Sequence, residues 1–198
     1  DCVGDACDLD KLPLTLQFFD PFLAESASWY VQGSGWSILP ASRGVAHVNT
    51  GPTETSWRLR GEARGHFKAS TVIEVLAEKG GILLAPPTVE LFVALEVAQP
   101  AVERMRCIVD LKLGTLRAET SVTVVSLEVP VPVDEPFRLE LEYSFLFGDL
   151  VCMFSSLSVP ARMISKRAPS LPPGTTWYPG LAATNAEAVF AHFNVLNR

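Results

Sequence analysis

Clustered cations, histidine, long apolar runs and repeats are scarce or missing in this 198-residue chain, and each absence removes a class of function. Its 16 Lys and Arg are outnumbered by 22 Asp and Glu, for a net charge of −6, and no run of cations interrupts the mixture. That excludes the electrostatic footprint of a nucleic-acid binder and disfavours an anionic membrane surface. The longest apolar stretches, such as residues 89–98, carry charges and stop well short of the roughly 20 residues of a spanning helix. His47, His66 and His192 stand far apart with no zinc-ligand spacing. Gly33-Ser34-Gly35 lacks the G-x-S-x-G elbow, and no phosphate-cradling G-x-G-x-x-G occurs. There is no heptad and no low-complexity tract. An initiating Met and a signal-peptide pattern are also missing, so the chain reads as an excerpt of a longer precursor.

What the chain does have is short alternating runs of Val, Leu, Phe and Thr between Gly, Pro and Asp, the pattern of an all-β protein. Hydrophobic residues make up 48% of it, enough for a chain of this length to bury roughly 70% of its unfolded surface. Phe67, Ala69, Thr71, Ile73, Val75 and Ala77 alternate with Lys68, Ser70, Glu74 and Glu78, predicting a strand with one apolar face. Leu91, Val93, Leu95 and Val97 repeat the pattern against Glu90 and Glu96. Phe137, Leu139, Leu141, Tyr143, Phe145 and Phe147 alternate with Arg138, Glu140, Glu142 and Ser144 up to Gly148-Asp149, which predicts a two-residue type II′ hairpin turn. In that register Cys152 lies opposite Phe145 on the apolar face. Cys107 shares a face with Met105, Val109 and Leu111, so both thiols point inward, either as a core disulfide or as two buried small hydrophobes. Cys2 and Cys7 form a second, close pair. The Pro-rich segments 129–132 and 168–179 are expected to be loops or strand edges, because proline cannot donate to a central ladder. Residues 186–195 suit either a short helix or a last buried strand.

The opening Asp1-Cys2-Val3-Gly4-Asp5-Ala6-Cys7-Asp8 resembles the end of a thrombospondin type 3 repeat, D-x-D-x-D-G-x-G-D-x-C-D. The resemblance puts Asp1, Asp5, Asp8 and the Val3 carbonyl on calcium-ligand positions, since hard calcium prefers several oxygens. The first two aspartates of the motif are absent, and Cys2 stands where that family usually has Gly. Phe18-Phe19-Asp20, Gly33-Ser34-Gly35-Trp36-Ser37, Arg106-Cys107-Ile108-Val109-Asp110 with Gly114-Thr115-Leu116, Leu150-Val151-Cys152 and the ending from Gly180-Leu181 to Phe193-Asn194-Val195 follow the order seen in concanavalin-like, laminin-G-like jelly rolls. Ala191 departs from that pattern, which commonly places Asp there. The resemblance implies residues 1–12 as a repeat remnant and 13–198 as a two-sheet antiparallel β-sandwich. It also implies a secreted or cell-surface location.

Some relatives in that fold are glycoside hydrolases with E-x-D-x-x-E or E-x-D-x-E on one strand. The nearest match here, Glu74-Val75-Leu76-Ala77-Glu78, has Leu76 in place of the central Asp. Its two carboxylates would sit about 13 Å apart at about 3.3 Å per residue, against about 5–5.5 Å for a retaining pair. Catalysis is therefore not expected. Glu140 and Glu142 read as facing water or a neighbouring strand's Arg. Binding remains, and aromatic side chains on loops are its usual instruments. Trp177 and Tyr178, flanked by Pro and Gly, are the first candidates and Trp29 and Tyr30 the second, whereas Trp36 and Trp57 read as core. The expected partner is a glycan or a surface protein. The alternatives are a structural or assembly domain and a carbohydrate-active enzyme with a departed active site.

Overall fold

The computed structural model describes residues 15–23, 26–39, 44–48, 55–59, 66–78, 86–95, 104–132, 135–144, 148–168 and 176–197. All regular structure among them is β, so no helix there is long and apolar enough to cross a membrane. One sheet contains β1 (Thr15–Asp20), β3 (Trp36–Ile38), β4 (Val45–Val48), β6 (Phe67–Glu78), β11 (Phe137–Ser144), β12 (Asp149–Ser156), β13 (Arg162–Arg167) and β15 (Ala186–Asn197). Its order is β13-β12-β11-β6-β15-β4-β3, with β1 also paired to β15. The second contains β2 (Trp29–Gln32), β5 (Thr55–Leu59), β7 (Thr88–Ala94), β8 (Arg104–Asp110), β9 (Thr115–Glu119), β10 (Val124–Glu128) and β14 (Tyr178–Thr184). It runs β10-β9-β8-β7-β14-β5-β2, and every pairing in both sheets is antiparallel.

Period-2 alternation builds the core between the sheets. From β6 come Phe67, Ala69 and Ile73, from β11 Phe137, Leu139, Leu141 and Tyr143, and from β7 Val89, Leu91 and Val93. The ambiguous segment 186–195 is strand: Ala186, Ala188, Phe190, Phe193 and Val195 all enter this core. Phe92, Ala94 and Ala182 form a separate buried cluster on the opposite face of the seven-stranded sheet. Gly180 is required there, because a Cβ would come within 2.6 Å of both Phe92 Cζ and the Trp57 carbonyl oxygen.

Four details differ from the sequence expectations. The β11–β12 register sets Cys152 opposite Leu141 and Tyr143 opposite Leu150, so the turn is longer than two residues. The Gly148 amide donates to the Ser144 carbonyl at 2.7 Å and Gly148 has φ +64°, a left-handed turn end in place of a type II′ corner. Phe145 and Phe147 lie outside the described residues. The error is four residues, an even number, so every side chain keeps its face and Cys152 still points inward. There it bonds Cys107, a disulfide joining β8 of one sheet to β12 of the other. Third, Pro179 belongs to β14, a central strand. It pairs with Val93 of β7, whereas pairing with β5 begins only at Gly180, so its missing N–H falls beyond the end of the β5 ladder. Fourth, Glu90 is buried on the outer face of the seven-stranded sheet, and Arg106 reaches it at 3.4 Å.

The outer face of the eight-stranded sheet carries a polar network. Glu140 is clamped by Lys68 and Arg138, each at 2.7 Å, and Glu142 faces His66 at 2.9 Å. Ser70 donates to Asn194 at 2.7 Å. Glu140 therefore answers Lys68 of the neighbouring β6 and Arg138 of its own strand, where a neighbouring strand's Arg was expected, and Glu142 meets the His66 imidazole. His192, at the edge of this network, has its imidazole pKa lowered by burial and by the nearby Arg138 charge.

Candidate functional site

The chain passes from β2, at the margin of one sheet, to β3, at the margin of the other, through Gly33-Ser34-Gly35. Gly33 has φ +87° and Gly35 φ +94°, and a Cβ on Gly33 would strike Thr55 Cγ2 at 2.5 Å, so glycine makes the crossing possible. Between the two margins lies a cleft of about 340 Å³. Trp29 and Val31 of β2, Trp57 of β5, and Trp36 and Ile38 of β3 give it apolar walls, and Ser26 and Ser37 complete the lining. Trp57 stacks on Trp29, with centroids 5.5 Å apart, and on Trp36 at 5.8 Å. Phe22 and Phe193 close around Trp29, and Phe190 around Trp36. Trp36 and Ile38 are half-buried and Val31 is 44% exposed, so the mouth of the cleft is apolar and open. Among the described residues no charged side chain lines it.

Asp20, at the end of β1, fixes the inner wall. One carboxylate oxygen accepts from Trp29 Nε1 at 2.6 Å and the other from the Phe22 amide at 2.6 Å, holding Phe22 at φ +56°. Both donors belong to buried residues, so Asp20→Ala leaves them without an acceptor at a cost of about 1–3 kcal/mol each. Urea unfolding of that variant is expected to show a loss in this range together with altered indole fluorescence. An unchanged midpoint would mean that water replaces the carboxylate.

The residues expected to bind are divided by the pleat. Trp177 is 1% exposed, edge-on to Tyr143 at 5.9 Å, and is a core side chain that presents no face to a ligand. Burial around it also holds the Tyr143 hydroxyl above the usual tyrosine pKa. Trp29 is likewise buried but borders the cleft. Tyr178 and Tyr30, each next in sequence to one of these tryptophans, are half-exposed on the outer face of the seven-stranded sheet. Successive strand residues face opposite ways, so neither Trp-Tyr pair forms one platform. Trp36 and Trp57, read as core, line the cleft. Val31, Ile38, Ser26 and Ser37 gave no signal beyond the Gly-Ser-Gly between two short runs.

On that outer face Tyr30, Arg58, Gly180, Phe92, Arg106 and Glu119 occupy one row by strand register. Arg106 lies against both Glu119 and Glu90. Glu74 is exposed and Leu76 is 54% exposed on the far side of the eight-stranded sheet, so Glu74 is on a solvated face. Among the described residues no group of His, Cys, Asp and Glu could hold a metal. Asp1, Val3, Asp5, Asp8, Cys2 and Cys7 lie outside them.

No family model and no curated protein sequence matches the chain. Solved structures do. The winged bean acidic lectin complexed with methyl-α-D-galactose gives a TM-score of 0.69 at 11% identity, over 91% of this chain and 97% of that one. The fold is a legume-lectin-like jelly roll. Lectin I of Ulex europaeus, in complex with the methyl glycoside of α-L-fucose, gives 0.69 at 11% over 90% of this chain and 96% of that one. The carbohydrate-binding module CBM66 from Bacillus subtilis gives 0.63 at 15% over 86% and 96%. The concanavalin-like sandwich expected from the sequence is thus present.

Proposed function

We propose that this jelly roll is a non-catalytic module that binds a neutral glycan in the cleft between β2 and β3. The observation that carries the reading is the lining: three tryptophans, two aliphatic side chains and two serines, with no charged side chain among the described residues, a surface suited to the apolar face of a pyranose. The volume suits one or two sugar units and not a buried polymer. Lectins and a carbohydrate-binding module among its structural neighbours support the glycan class. The described lining offers an anionic sugar no cation in return for its lost hydration.

Binding without turnover is part of the proposal, supported by Leu76 in place of the acid between Glu74 and Glu78. So is a secreted or cell-surface location, supported by the Cys107–Cys152 bridge, because such bonds persist in oxidising compartments. Calcium is assigned to the N-terminal segment, on the resemblance of Asp1, Val3, Asp5 and Asp8 to ligand positions of a calcium-binding repeat.

The test is a glycan array followed by titration of intrinsic tryptophan fluorescence. Val31→Lys places a charge at the open mouth on an edge strand and leaves the core untouched. It is expected to weaken the best neutral glycan at least about tenfold, or about 1.4 kcal/mol, with the melting temperature retained. Trp36→Leu, which removes an indole from the wall, is expected to do the same. A neutral glycan bound equally by both variants, or an array with no hit, overturns the assignment.

A further inference from the structure

The opposite margin of the sandwich differs in chemistry. There β13 is the outermost strand of the eight-stranded sheet and packs on β9 and β10 of the other sheet, so the interior is closed and only a strand edge remains. This edge reads Arg162-Met163-Ile164-Ser165-Lys166-Arg167. The sequence shows no run of cations, but the strand collects three within six residues of a chain whose net charge is −6. Ile164 packs on the core, and Arg162 and Lys166 flank it on the same side by alternation. Met163, Ser165 and Arg167 turn outward, with Met163 61% exposed. Asp149 lies opposite Arg167 in register and Glu128 ends β10, yet among the described residues no carboxylate forms an ion pair with Arg162, Lys166 or Arg167. Backbone groups on the side of β13 away from β12 have no described strand beside them. The other outermost strands, β2, β3 and β10, carry no cation.

A second copy of the chain does not suit this edge. Antiparallel pairing about a two-fold axis at Ile164 sets Arg162 against Lys166 of the other molecule on the same face, and like charges directly opposite repel. The same geometry favours carboxylates at those positions, while unpaired N–H and C=O groups call for another backbone. We propose that β13 accepts an extended acidic peptide strand from another protein, lengthening the eight-stranded sheet by one strand. Acids at alternate positions of the guest meet Arg162 and Lys166 on one side or Arg167 on the other. This proposal is independent of the glycan cleft at the far margin.

The experiment measures fluorescence anisotropy of a labelled synthetic peptide that alternates Glu with Val and Thr, against the whole chain. Controls are the Lys-for-Glu peptide, two isomers N-methylated at alternate residues in opposite phase, and dextran sulfate as a polyanion without a peptide backbone. Binding is expected for the Glu peptide and one N-methyl isomer. A loss of about tenfold or more is expected for the other isomer, for the Lys peptide, and for the protein variant R162Q/K166Q/R167Q. Circular dichroism of that variant checks its fold, and Met163→Lys, which adds to the edge charge, is expected to bind the Glu peptide more tightly. Equal binding of both N-methyl isomers, or dextran sulfate binding in place of the peptide, overturns strand addition. No peptide binding together with self-association of the neutralised variant in sedimentation also overturns it, because the cations then serve only to keep the edge from pairing.

Discussion

Trp177→Ala is expected to destabilise the domain by about 3–5 kcal/mol, the usual cost of removing a large aromatic side chain from a core. Total stability for such a fold is about 5–15 kcal/mol, so the loss is a large fraction of it and should lower the unfolding midpoint markedly. The indole, just before β14, is 1% exposed and meets the edge of Tyr143, itself 2% exposed. Tyr143 in turn contacts Phe67, so one truncation loosens packing contributed by both sheets. Trp177→Phe, which keeps a ring against Tyr143, should cost markedly less. Urea unfolding followed in the near-ultraviolet measures both. Spectrophotometric titration adds a local readout: the Tyr143 hydroxyl, raised by burial, should move back toward the ordinary tyrosine range when the neighbouring cavity admits water. A Trp177→Ala protein with an unchanged midpoint but lost glycan binding would return this tryptophan to the ligand site.

That result bears on how much of the molecule could be read from its sequence. Alternation identified β6, β7 and β11 as buried strands because one face of each is largely apolar, and burial is the dominant force acting on them, whereas it left β15 open between helix and strand. The β11–β12 register was misread, yet the inward direction of Cys152 was not, because face assignment depends only on parity. Trp177 and Pro179 were misassigned for a different reason. Proline marks where a backbone donor is missing, but whether a partner strand requires that donor depends on β5 and β7, distant in sequence. The cleft was hidden for the same reason. Its walls come from β2, β3 and β5, and nothing in the local pattern around Trp36 or Trp57 distinguishes a tryptophan sealed in the core from one at an opening. Parity could have corrected one error: in a strand, Trp29 and Tyr30 cannot face the same ligand.

Loss of the Cys107–Cys152 bond is the second large effect. Loop-closure entropy for a separation of 45 residues is worth about 4 kcal/mol at 25 °C. For a domain of this size that corresponds to a fall in melting temperature of about 8–16 °C. Topology adds to the argument. Antiparallel ladders hold each sheet together and the backbone links the two sheets at their ends, but across the interior they meet through side chains, and among the described residues this bond is the covalent side-chain tie there. Both sulfurs belong to residues with no exposed surface, so a thiol reductant cannot reach them in the folded state. Reduction should therefore track unfolding, slow at low temperature and steeply faster on heating. Cys107→Ala/Cys152→Ala, measured by differential scanning calorimetry beside the parent chain, isolates the tie from the chemistry of reduction. Alkylation mass spectrometry of the denatured, unreduced protein should leave both residues unmodified. If Cys107 takes up the label, the bridge is absent and the two sheets depend on packing alone.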